Sequence, residues 1–100
     1  MLTRMYRVSI HYPKTDGATF DHEYYKTSHM PLVAARLGDN CTSWGVDKVI
    51  DGHLEAIGYL VVDDLAGFGT SMTEHGAEII GDVPNYTSIQ PQIVVSEITV

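Results

Sequence analysis

Four short runs of alternating apolar and polar residues, interrupted twice by stretches of helical spacing, restrict this chain more than any other feature. In "MYRVSIHY" (5–12), Tyr6, Val8, Ile10 and Tyr12 fall on one face and Arg7, Ser9 and His11 on the other. That period of two, carried by β-branched and aromatic residues, predicts a strand. "PKTDGATF" reads as a loop from its Pro, Asp and Gly. Asp21 then stands as a helix N-cap, with Tyr24, Tyr25, Met30, Val33 and Leu37 at helical spacing and Gly38 as the C-cap glycine. Two further strands, 42–51 and 54–63, are expected to form a hairpin around a short Gly52-His53 turn. A second helix starts from Asp63 or Asp64 and aligns Leu65, Phe68, Met72 and Ile79. It carries Gly67, Gly69 and Gly76, each costing about 1 kcal/mol against Ala, so it depends on packing. The segment 81–92 holds too many breakers for regular structure, and "IVVSEITV" closes the chain as a fourth strand.

The resulting order, β-α-β-β-α-β, specifies an α+β ferredoxin-like fold with both helices on one face of a four-stranded antiparallel sheet. One hundred residues suffice for one such domain spanning 1–100. The helix-free face, with Val, Ile, Tyr and Trp, would be a large bare apolar patch, which a symmetric dimer of facing sheets would cover.

Charge and cysteine content limit the function classes. Thirteen acidic residues against six scattered basic ones leave a net charge of −7 and no basic stripe, so neither nucleic acid nor an anionic membrane is an expected partner. Cys41 is the only cysteine, which excludes an intrachain disulfide and a thiolate metal cluster. The N-terminal stretch lacks the continuous apolar run of a leader, and no run approaches the ~20 residues of a membrane span. A cytoplasmic protein is expected.

The chemistry-bearing residues concentrate in "FDHEYYKTSHMP" (20–31). Its beginning resembles a zinc-protease helix, but the second His would have to stand at position 26, which is Lys. His22 and His29, without a thiolate or placed carboxylate, make no zinc set, so no metal is expected. Ser28 beside His29 is adjacency without a nucleophile elbow. Pro31 lacks an N–H and marks either a kink or the end of one helical piece and the start of a second, which reorients residues 28–30. His29 is then either a satisfied histidine at that kink or a proton-transfer group in a pocket, with Tyr24 or Tyr25 as its hydrogen-bonding partner. His75, near Met72 on the second helix, is either a boundary histidine or an axial ligand for haem. No other cofactor is suggested. Asn85 and Tyr86, stiffened by Pro84 and Pro91, form either a pocket wall or a rigid connector. Trp44 and Tyr59 are further candidate walls.

The pattern F-D, Y-Y and H-M-P-L in "FDHEYYKTSHMPLV", with the late "DVPNYTSIQPQIVVSEI", resembles the EthD family, named from ethyl tert-butyl ether degradation, over Arg4 to Val100. The resemblance implies a dimeric α/β barrel. It places Phe20, Asp21, Tyr24, His29 and Pro31 in one recurrent motif and Pro84, Asn85 and Tyr86 in another. It also implies an oxidoreductase label, and relatives in the wider group include cofactor-free monooxygenases, isomerases, cyclases and haem-binding enzymes. The expected function is a small homodimeric enzyme acting on an apolar or aromatic molecule between sheet and helices. A non-catalytic binding protein is the alternative, and a haem-binding member the third.

Overall fold

The computed structural model describes residues 4–100, so Met1–Thr3, at the head of the stretch read as free of a leader, lie outside it. Strand β1 (Tyr6–Pro13) is an inner strand of the sheet, whose order is β2-β3-β1-β4. The others are β2 (Cys41–Lys48), β3 (Leu54–Val62) and β4 (Gln92–Glu97), and every pairing is antiparallel. The register sets Val8 opposite Leu60, Ile10 opposite Gly58 and Tyr12 opposite Ala56, so one face of the central pair is continuously apolar. Pleating sends Arg7, Ser9 and His11, with Ile57 and Tyr59, to the other face.

The first helical segment comes in three parts: α1 (His22–Tyr24), a π-turn (Tyr25–His29) and α2 (Met30–Leu37). The expected kink at Pro31 takes this form because Pro31 stands in the first turn of α2, where a missing N–H is harmless. The ladder widens just before it, and the Met30 N–H bonds back to the Tyr25 carbonyl. Gly38 closes α2 with φ 62°, as a C-cap glycine should.

Helix α3 (Leu65–Asp82) is capped by Asp64, whose carboxylate accepts the Ala66 N–H at 3.1 Å. Asn40 braces its entry, accepting the N–H groups of Asp63 (3.1 Å) and Asp64 (2.9 Å) and donating to the Asp64 carbonyl. Arg36 of α2 grips Glu78 of α3 through two bonds of 2.6 and 2.9 Å.

Three expectations need correction. The β2–β3 connection spans five residues, 49–53, rather than a Gly52-His53 turn, although Gly52 does take φ 125°. The stretch 81–92 is not wholly irregular, because α3 continues to Asp82 and a 3-10 turn follows at Val83–Asn85. Pro84 is compatible with that turn for the same reason that Pro31 is compatible with α2. Leu65 is exposed, whereas Phe68, Met72 and Ile79 pack on the core as expected.

The core between sheet and helices is unusually aromatic. Tyr12, Tyr25 and Tyr86 are buried with Phe20 packed against them, and Met30, Val33, Leu37, Leu60 and Val62 extend the layer. Phe20 meets Tyr12, Tyr25 and Tyr86 edge-on at centroid distances of 5.0, 5.1 and 5.4 Å. Each such pair is worth about 0.5–1.5 kcal/mol beyond area burial. By contrast β4 stays exposed along its length, with Ile93, Val94 and Val95 all open.

Candidate functional site

The two motif segments meet in space. Asp21 caps α1 by accepting the Tyr24 N–H at 3.0 Å, and its own N–H donates to the Tyr86 carbonyl at 2.8 Å. Phe20 and Thr87 form an antiparallel bridge, and the Thr87 hydroxyl donates to the Thr19 carbonyl at 2.7 Å. The 20–31 and 82–87 stretches are thereby stitched together through their backbones.

At this seam Asp82, the last residue of α3, gathers three donors. His29 Nδ1 lies 2.8 Å from Oδ2, while Tyr24 Oη (2.7 Å) and Asn85 Nδ2 (2.9 Å) both donate to Oδ1. Burial works to raise the Asp82 carboxyl, but these donors outweigh it and hold the group below its usual range. For His29 burial prevails over the attraction of Asp82, so the imidazole sits below its ordinary value and is neutral at neutral pH. A neutral ring facing an ionised carboxylate carries its proton on Nδ1, which leaves the lone pair on Nε2. Among the described residues nothing hydrogen-bonds Nε2. The His29 side chain is only 5% exposed and that of Asp82 15%.

The tyrosines divide their tasks differently from expectation. Neither Tyr24 nor Tyr25 hydrogen-bonds His29. Tyr24 shares its carboxylate, and because ionisation would forfeit that bond the phenol is raised. Tyr25 instead stacks on His29, with centroids 5.7 Å apart and planes 15° off parallel. Its hydroxyl is fully buried with no hydrogen-bond partner, a state costing about 1–3 kcal/mol, and burial pushes its pKa far up. That hydroxyl abuts Gly58, where an added Cβ would collide with it. Tyr86, 4.6 Å from the His29 ring, is hydrogen-bonded through its hydroxyl to that of Tyr12 at 2.7 Å, and burial raises both phenols.

Asn85 and Tyr86 also line a broad cleft of about 970 Å³ beside Phe20, Val83 and the exposed Ile80 and Ile93. His29 sits behind Tyr86 rather than in this cleft, and the space between sheet and helices is filled by the aromatic cluster. Trp44 and Tyr59 do not join the cluster. Trp44 pairs with Leu60 on edge strand β2 and is partly exposed on the helix side, not on the bare face. Tyr59 lies on the helix-free face, across Gly45, with the Arg7 guanidinium 5.8 Å from its ring. His75 stands half-exposed, 3.8 Å from a Glu74 carboxylate oxygen, and neither cleft described reaches it. Such surroundings do not fit a haem, which needs an enclosed apolar slot. His22 turns away to donate to Glu55 at 2.7 Å, so the two histidines of the motif part company. Among the described residues no three His, Cys, Asp or Glu side chains converge as a metal site would.

Asp82 was not among the residues singled out from sequence. Its only sequence signal is its place at the head of "DVPNY", 53 positions from the histidine it holds.

A crystallised EthD-like protein from Ralstonia eutropha JMP134 is 40% identical to this chain. It superposes with a TM-score of 0.93, over 99% of this chain and 96% of that one. The chain belongs to the EthD family. More remote likenesses concern the fold alone. SnoaB from Streptomyces nogalater, a cofactor-independent oxygenase crystallised as a point mutant, is 10% identical with a TM-score of 0.58, over 93% of this chain and 92% of that one. A dimeric protein of unknown function and ferredoxin-like fold from Bacteroides fragilis is 13% identical with a TM-score of 0.53, over 94% and 96%. No family model matches the chain, and no curated protein matches it. Among the described residues no helix is long and apolar enough to cross a membrane.

Proposed function

We propose that this EthD-family protein is a cytoplasmic homodimeric enzyme that takes a proton from a small apolar, aromatic or polyketide-like substrate, as an oxidoreductase of the cofactor-free kind. The observation that carries the reading is the His29–Asp82 pair: a neutral, nearly enclosed imidazole held in one tautomer by an ionised carboxylate. Such a pair offers Nε2 as a base and stabilises the imidazolium that forms. The substrate lies in the cleft at Asn85 and Tyr86, and movement of the Tyr86 ring brings its acidic C–H to Nε2. The carbanion left behind gives its electrons to dioxygen. Reprotonation yields a hydroperoxide, and loss of water from it leaves a ketone or quinone. The fold shared with a cofactor-independent oxygenase agrees with this class of reaction.

Homodimerisation is supported by edge strand β4, where Ile93 and Val95 stand open on the helix side and Val94 on the helix-free face with Ile57 and Tyr59, apolar surface that a monomer would leave in water. The fold shared with a dimeric protein points the same way.

A second reading has its own observation. Because His29 lies behind Tyr86 and its pair ties α3 to the π-turn, the same groups also suit a binding protein whose histidine is structural. Oxygen uptake with anthrone, an aromatic probe with an acidic methylene, separates the two. The enzyme reading expects His29→Gln to abolish uptake while anthrone affinity persists. Anthrone binding with no uptake above the uncatalysed rate in the unaltered protein would establish the binding reading instead, and unchanged uptake in the variant would refute the role of His29.

A further inference from the structure

The broad cleft at Asn85 and Tyr86 limits what it can admit. Its volume of about 970 Å³ stands at the upper end of the roughly 300–1,000 Å³ of small-molecule pockets, room for a fused-ring system rather than a single ring. Ile80 of α3 and Ile93 of β4, both open to solvent, supply apolar wall together with Phe20 and Val83.

Charge sets the first limit. Among the described residues no Lys, Arg or His lines the cleft, and its one charged lining residue is Asp21. A second carboxylate stands close by, since Asp82 lies 2.9 Å from the Asn85 amide nitrogen and is held ionised by its donors. Cations stand elsewhere: Arg36 is tied to Glu78, and Lys26 and Lys48 line a separate hollow of about 230 Å³ beside the π-turn. An anion entering the broad cleft would meet like charge and no counter-charge.

Hydrogen bonding sets the second limit. The Tyr86 hydroxyl is committed to Tyr12. The Thr87 hydroxyl both donates to the Thr19 carbonyl at 2.7 Å and accepts the Ile89 N–H at 3.0 Å. Asn85 is different. Its Nδ2 must face Asp82, because its oxygen turned toward an ionised carboxylate would be repelled. That orientation leaves the amide oxygen without a partner among the described residues, on an exposed residue of the cleft wall. The part of the cleft next to Tyr86, behind which His29 lies, therefore offers an acceptor and calls for a donor. Ser88 and Gln90, also exposed, can take either role and set no preference.

We infer that the substrate class of this cleft is an uncharged fused-ring aromatic bearing a hydroxyl, whose O–H donates to the Asn85 amide oxygen while Asp21 turns away carboxylated relatives. The inference rests on the reading of the cleft as the substrate site but not on proton transfer at His29. Its test reads binding rather than turnover, so failure of the base and failure of the selectivity are separate results.

The probes are 2-naphthol, 2-methoxynaphthalene and 2-naphthoate, titrated at neutral pH while amide NMR shifts are followed. The expected result is saturable shifts among residues 80–93 with 2-naphthol. The methyl ether, which has lost the donor, should bind about fivefold more weakly. The carboxylate should bind more weakly still, with a gap that narrows as salt is raised. Asn85→Ala should bring 2-naphthol down to the affinity of the ether and leave the ether unchanged. Asp21→Asn, which keeps a good N-cap for α1, should strengthen 2-naphthoate about twofold to threefold and leave 2-naphthol unchanged. The inference is overturned if 2-naphthol gives no saturable shifts there, or if the ether or the carboxylate binds as tightly at low salt. Equal weakening of both neutral probes by Asn85→Ala, or no gain for 2-naphthoate in Asp21→Asn, would overturn it as well.

Discussion

Asp82 offers the sharpest test of the site. Replacing it with Ala removes the acceptor of three donors at 2.7, 2.8 and 2.9 Å, but their losses differ in weight. Tyr24 and Asn85 reach solvent and can turn to water, so they contribute little. His29 cannot, because its side chain is 5% exposed, and a stranded buried donor costs about 1–3 kcal/mol. With the tie between α3 and the π-turn also lost, Asp82→Ala should destabilise by about 2–3 kcal/mol. For a domain of this size that lowers the melting temperature by about 10–20 °C, measurable by calorimetry. Asp82→Asn should cost less, since its oxygen still accepts from Tyr24. Its amide, however, would face His29 Nδ1 and drive the imidazole proton to Nε2, consuming the lone pair assigned as base. The ¹⁵N shifts of the ring report the tautomer directly: Nδ1–H in the native protein and Nε2–H in the variant. A loss below about 1 kcal/mol for Asp82→Ala, or an unchanged tautomer for Asp82→Asn, would refute the account of the pair.

Two further outcomes follow from the same geometry. Since burial lowers the His29 pKa, its contribution to stability is full above the ordinary histidine value of ~6.5 and is lost as pH falls through the lowered one. Asp82, also lowered, adds a second loss at more acid pH, below the usual ~3.9. Denaturant midpoints across pH should thus fall in two stages, and His29→Gln should erase the first. Gly58→Ala drives a methyl into the Tyr25 hydroxyl within a closed core, so about 1–3 kcal/mol of overpacking should appear in urea melts. Combining it with Tyr25→Phe should restore part of that loss.

Much of the architecture was legible because strands and helices announce themselves locally. Tyr6 to Tyr12 alternate, Asp64 caps and Gly38 terminates, and each acts within a few residues. What local pattern could not carry was register across elements. With a short turn assumed at Gly52-His53, nothing in the sequence says that Trp44 pairs with Leu60 and Tyr59 with Gly45, which sends the two aromatics to opposite faces. Proline was read correctly at Pro31 and less so at Pro84. Pro31 was expected to reorient the helix and Pro84 counted as a breaker; each stands in a first turn, and the residues two positions before them, His29 and Asp82, are the ones that meet. His29 was found because its motif is compact. Asp82 was not, because a partner 53 positions away leaves no trace in one sequence.

The strand order has a consequence for how the chain reaches this state. β1 is made first and is flanked by β3 and β4, so its two edges wait for partners separated from it by roughly 40 to 90 positions. Two of the three strand pairings are therefore non-local, β2–β3 alone being a hairpin, and loop-closure entropy is spent before those two form. During synthesis one edge of β1 stays unpaired until residues 92–97 emerge. The interval before that last strand docks is when the chain is most open to wrong pairing, and a chaperone acting there would influence yield more than any change to the finished core.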